Sequence, residues 1–341
     1  MATTAAAATA GAAARPPAAA ADPVAPAEPA DPVAPAADDE ALPPFRPAPP
    51  PAAPRPWQRT WLPGLAAWAA LASLAYATAG GRLDGYLTLT GLLIGFLVGL
   101  TGMGGGALMT PVLILLFGFA PTMAIGTDVT YAAVTKVFGS WKHWRQGSVD
   151  APLALWLALG SVPSALAGVA AVTWLKHHHA EAINGFLYRA IGSALMMVGV
   201  LLIVKVLLHV EQRHRRENIA MSPRRKALTV LLGAVTGFII GLTSVGSGTF
   251  LAVFLILFYP LTTDRIVGTD VFHATILLGA TGLAQIGAGN VDPWMVAALL
   301  MGSVPGVLLG SQLTVRAPNR LLRAVLALVL FSSGVALIFK A

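Results

Sequence analysis

The chain has 341 residues, of which 56% are hydrophobic and only 11% are Asp, Glu, Lys or Arg. That charge content is under half the soluble average, and the apolar runs are long enough to cross a bilayer, so a soluble globular protein is excluded and an all-α, polytopic membrane protein is expected. The formal charge of +7 is no nucleic-acid footprint, because the cations gather at the ends of apolar segments, and the absence of cysteine removes disulfides, thiolate metal sites and cysteine nucleophiles.

Residues 1–56 are Ala and Pro with scattered acids (Asp22, Glu28, Asp31, Asp38, Asp39, Glu40) and almost no large aliphatic side chains. Such a stretch cannot offset chain entropy by burial, so a disordered, partly polyproline tail is expected. It lacks the basic start and compact Leu-rich core of a signal peptide. One extra transmembrane helix follows within 57–82, centred on Trp61 to Ala79.

From there the chain repeats itself. Gly95 to Gly168 aligns with Gly237 to Gly310 at a constant offset of 142 residues without gaps, and about a third of the positions are identical. The matched pieces include GFLVGLTGMGGG with GFIIGLTSVGSG, GTDV (Gly126 to Val129) with GTDV (Gly268 to Val271), and GSVP (Gly160 to Pro163) with GSVP (Gly302 to Pro305). A first repeat over 83–210, a basic cytoplasmic linker over 211–226 and a second repeat over 227–341 are expected. Internal repetition in a membrane chain points to a transporter with its site between the halves.

Each repeat opens with an apolar segment of more than thirty residues, Tyr86 to Phe119 and Ala227 to Tyr259, broken by glycines at Gly102 to Gly106 and Gly246 to Gly248. Two half-helices joined at glycine, dipping in and returning, or two short full spans, are both compatible with this pattern. Glycine lets the chain turn sharply at membrane depth and leaves N–H groups accessible at the start of the next helix, where an anion fits. The candidate substrate-binding residues at the first break are Thr101, Gly104, Gly105, Gly106 and Thr110. At the second they are Thr243, Ser244, Gly246, Ser247, Gly248 and Thr249. Close helix packing of the small-xxx-small kind accounts for Gly95, Gly99, Gly237 and Gly241.

The next crossings are expected from Asp128 to Trp144 and from Ile266 to Gly287, with Thr127 and Asp128, and Thr269 and Asp270, at their starts. Helix N-capping is one reading of these pairs. The other places both carboxylates near the midplane as proton or ion carriers, with Thr127 and Thr269 among the substrate-binding residues, since ionisable groups inside membranes are costly and usually functional. Lys136, the one cation well inside a crossing, is a candidate to neutralise an anionic substrate or to pair with Asp128; its repeat mate is Leu278. His273 is read as a satisfied buried histidine, and His177 to His179 as a solvated loop tract; no metal site is expected.

Basic loops around Lys142 and Arg145, Arg213 to Lys226, and Arg316 to Arg323 lie inside by the positive-inside rule, whereas the loop from Gly287 to Asp292 carries no Lys or Arg. With one hairpin and three crossings per repeat, the second copy is inverted, and the N-terminal tail is cytoplasmic. No phosphate-binding loop, HExxH, GxSxG or CxxC occurs, which favours a self-contained secondary carrier over a nucleotide-driven pump or an enzyme.

In GLTGMGGGALMTP (Gly99 to Pro111), AIGTD (Ala124 to Asp128), GSVD (Gly147 to Asp150) and the doubled GSVP, the chain resembles the TauE/SafE family of sulfite and organosulfur-anion exporters, over Tyr86 to Phe339. The second glycine cluster departs from the pattern as SVGSG. The resemblance implies export or permeation of small anions such as sulfite or sulfonates across the bacterial inner membrane, with no organic cofactor. The expected partners are therefore a small anionic substrate and the lipid bilayer, with no nucleic acid and an open oligomeric state. A passive anion channel and a non-transporting membrane subunit are the rival readings.

Overall fold

A computed structural model describes residues 61–101, 107–207, 222–259, 261–313 and 319–341. The Ala/Pro-rich tail, the glycines at 102–106 and most of the basic linker lie outside the described residues. Among those described the regular structure is helical throughout: α1 (Trp61–Thr78), α2 (Gly85–Thr101), α3 (Met109–Leu115), α4 (Pro121–Arg145), α5 (Ala151–His178), α6 (Ala180–Leu207), α7 (Pro223–Thr243), α8 (Phe250–Phe258), α9 (Thr263–Gly287), α10 (Pro293–Leu313) and α11 (Asn319–Lys340).

Five of these helices are long and apolar enough to cross a membrane by length and composition: α5, α6, α7, α9 and α10. Their outward faces carry exposed large apolar residues such as Leu155, Leu231 and Leu283, as lipid contact requires. The 25-residue α4 falls outside that set because Asp128, Lys136, Lys142 and Arg145 lower its hydropathy. Its polar residues Thr127, Asp128 and Lys136 are buried inside the protein instead.

The two long apolar segments resolve into unequal arms. The return arms are α3, with seven residues, and α8, with nine. At 1.5 Å per residue they reach about 10 and 14 Å, far short of the roughly 30 Å hydrocarbon core. Neither return arm crosses, so two full spans are excluded by length.

Helix pairing follows the 142-residue offset. The most extensive contacts are α2 with α10 and α5 with α7, which the offset exchanges, followed by α6 with α11 and α4 with α9, which it maps onto themselves. Such reciprocity is what a two-fold relation produces. The first two pairs run parallel: Gly91, Gly95 and Gly99 meet the backbone of Leu299, Ser303 and Val307, and Gly233, Gly237 and Gly241 meet that of Leu157, Ser161 and Ala165. A Cβ at any of these glycines would strike main chain, so the four-residue spacing is a packing device, as expected for Gly95, Gly99, Gly237 and Gly241.

The self-paired helices run antiparallel. Gly282 packs beside Thr130, the Thr275 hydroxyl donates to the Lys136 carbonyl at 3.2 Å, and Gly139 faces Val271. Gly192 likewise meets Gly334, and Gly199 meets Ala327. The mates in these two pairs therefore point in opposite directions.

Pro163 and Pro305 sit inside α5 and α10 at matching positions. Proline has no N–H to give to the carbonyl four residues earlier. In α10 that carbonyl belongs to Met301, and Trp68 of α1 donates its indole N–H to it at 3.0 Å. This bond ties the extra helix to the second repeat.

Candidate functional site

The GTD segments are not helix starts. Helix α4 begins at Pro121, with Pro in its first turn and no side-chain cap, and α9 begins at Thr263. Asp128 and Asp270 thus lie about two turns inside their helices, with 0% and 6% of their surface exposed. N-capping is overturned for both. The expected starts at Asp128 and Ile266 were late because the first turns carry Thr122, Asp264 and Arg265, which break the apolar run without breaking the helix.

Asp128 is held across the two hairpins. Its Oδ2 accepts the hydroxyl of Thr110, on α3 of the first hairpin, at 2.6 Å, and that of Ser244, at the tip of the second, at 2.8 Å. Its Oδ1 is buried with no hydrogen-bond partner among the described residues. Ser244 is the one described non-glycine residue with positive φ, +62°, and caps α7; Gly246 follows at +100°, where the Phe250 ring occupies the space a Cβ would take. Only glycine suits that second position.

Lys136 reaches the same tip. Its buried ammonium donates to the Ser247 carbonyl, and it lies within electrostatic reach of Asp270 and of Asp128. The lysine of one repeat thus meets the hairpin tip of the other, between the paired carboxylates.

The N–H groups at the second tip are engaged by the tip itself. Those of Gly248, Thr249 and Phe250 converge on the Gly246 carbonyl at 2.7, 3.1 and 3.2 Å, and Thr243 accepts the N–H of Val245 at 3.2 Å while donating to Ile239. An anion entering here would compete with one carbonyl for three donors. Thr101 ends α2, but its side chain and Gly104, Gly105 and Gly106 lie outside the described residues.

Two predicted residues lie elsewhere. Thr269 accepts the N–H of Asp150 at 2.9 Å, so it braces the loop between α4 and α5, and Gly268 packs against Ser148 of that loop. Gly126 packs on Asn290 in the equivalent loop before α10, but the Thr127 hydroxyl, fully buried, has no partner among the described residues.

A second symmetric pair was missed from the sequence. His273 bonds through Nε2 to Ser161 on α5 at 2.7 Å, and its repeat mate Tyr131 lies close to Ser303 on α10, the mate of Ser161. The signal was present: a serine buried in both copies of GSVP. The His177 and His178 tract is the last turn of α5 rather than a loop, with His178 stacked on Trp174 at 4.9 Å. It borders a largely apolar groove of about 630 Å³ with Leu166, Val169 and Ala284, and none of the predicted site residues lines it.

Comparison with known proteins sets the chain among membrane transporters. The family described as sulfite exporter TauE/SafE matches residues 87–337. The chain is 42% identical over 254 residues to the probable membrane transporter protein YjnA of Bacillus subtilis, covering 74% of this chain and 98% of that one. It is 24% identical over 247 residues to the probable membrane transporter protein YdhB of the same organism, covering 72% and 97%. It is also 24% identical over 170 residues to the probable membrane transporter protein MJ0441 of Methanocaldococcus jannaschii, covering 48% and 57%. No solved structure matches.

Proposed function

The chain belongs to the sulfite exporter TauE/SafE family and is a multi-pass membrane transporter, and from that premise we propose that it is a secondary carrier exporting small anions, of the sulfite, sulfonate or related organosulfur class, with Asp128 and Asp270 coupling their movement to protons. The observation that carries the anion reading is Lys136, a buried ammonium donated from one repeat to the broken-helix tip of the other. A small anion replaces the Ser247 carbonyl as its partner and draws on the N–H groups now converging on Gly246. The antiparallel packing of α4 on α9 and of α6 on α11 supports oppositely inserted repeats around this site. Alternating access then amounts to one repeat rocking against the other.

The charge pattern of the loops supports a cytoplasmic N-terminus in a bacterial inner membrane. The specificity is tested by flux into proteoliposomes with sulfite, a sulfonate, sulfate and a monocarboxylate. We expect saturable uptake of the first two, accelerated by an imposed pH gradient. Non-saturating flux indifferent to the gradient would make the protein a passive channel, and no flux of any anion would make it a non-transporting subunit.

A further inference from the structure

We infer that Asp128 is a proton-released latch between the hairpins, positioned by Thr110 and Ser244. This deepens the proton-coupled reading above and rests on it for the identity of Asp128 as a proton-binding group. One oxygen of Asp128 accepts hydroxyls from both hairpins at 2.6 and 2.8 Å. Charge-assisted bonds of this kind weaken when the carboxylate is neutralised. The other oxygen, buried and without a hydrogen-bond partner among the described residues, is where a proton can add without displacing either hydroxyl.

The two hydroxyls that hold Asp128 are not repeated at the mate positions. The mates of Thr110 and Ser244 are Ala252 and Gly102, neither of which has a hydroxyl. An otherwise two-fold site is therefore asymmetric at its ionisable groups. Lys136 adds to the asymmetry, since its mate Leu278 is a core residue at 0% exposure. The ionisable groups near Asp128 are Lys136 and Tyr131 on its own helix; the register that sets Thr130 beside Gly282 and Lys136 beside Thr275 puts His273 and Asp270 about three to four turns away along α9. The described parts of α3 and α10 carry no ionisable residue, and Glu181 and Arg189 on α6 are exposed.

The chain has no cysteine, so Val245→Cys, at a fully buried position beside Ser244, gives a clean reporter for a membrane-permeant maleimide in proteoliposomes without added substrate. Labelling, taken as its rate relative to that of an exposed reference cysteine (Gln146→Cys) at the same pH so that the thiolate fraction cancels, should be slow at high pH and quicken by up to about tenfold per pH unit on acidification, as uptake of a single proton dictates. With Thr110→Ala and Ser244→Ala together it should be fast at every pH, and Thr110→Ser, which keeps a hydroxyl, should retain the pH profile. Asp128→Asn should label fast, with a relative rate independent of pH. A parental profile in Asp128→Asn, or in the double alanine variant, would overturn the latch. Since no anion is present, the outcome is independent of whether the flux panel succeeds.

Discussion

With Asp128→Asn and Asp270→Asn combined, flux driven by a pH gradient should fall to that of protein-free liposomes. Both carboxylates are buried on repeat-mate helices that pack antiparallel, and an ionisable group at such depth is expensive unless it has a task. Asparagine keeps the shape while holding the Thr110 and Ser244 hydroxyls more weakly than the carboxylate does, so the helices should still pack. What is lost is proton binding. Flux measured against an imposed pH gradient, with tracer exchange at equal pH as a control for folded protein, separates the two. Undiminished driven flux would remove the carboxylates from the coupling.

The second large effect is expected at Lys136. Replacing it with Met preserves the length of the aliphatic stem but removes the only ammonium that reaches the second tip among the described residues. An anion drawn into this pocket would lose its buried counter-charge, and breaking a buried ion pair by removing one partner costs about 3–5 kcal/mol. The concentration giving half-maximal anion flux should therefore rise by about 100-fold or more. Lys136→Arg should recover only part of the loss, because a planar guanidinium does not reproduce a compact ammonium donor. An unchanged half-maximal concentration in Lys136→Met would place the anion elsewhere.

Much of this architecture was legible in the residues because the repeat is gapless. The spacing of Gly95 and Gly99 and of their mates Gly237 and Gly241 announces close helix pairs, and the structure sets each against backbone and extends the row to Gly91 and Gly233. The short return arms were also foreshadowed by glycine within apolar runs too long for one helix and too short for two. The depth of Asp128 was hidden, since Thr and Asp at the edge of an apolar run look like a cap. The helix instead starts earlier on the fixed φ of Pro121, with its polar first turns covered by neighbouring helices.

Partners distant in sequence were less visible. Nothing local to Thr110, Ser244 or Asp128 says that the three share one oxygen, because that contact depends on two hairpins from different repeats arriving together. The tip donors misled for a related reason. The positive φ at Ser244 and Gly246 folds the tip back, so three N–H groups find the Gly246 carbonyl before any outside partner.

Side-specific labelling of one repeat-mate pair bears most directly on a shared site between oppositely inserted copies. Gln146→Cys and Ala288→Cys occupy equivalent positions at the ends of α4 and α9. In intact cells an impermeant maleimide should label the second from outside, and reach the first only once the membrane is opened. Both cysteines labelling from one face would show the copies inserted in the same direction and contradict the account.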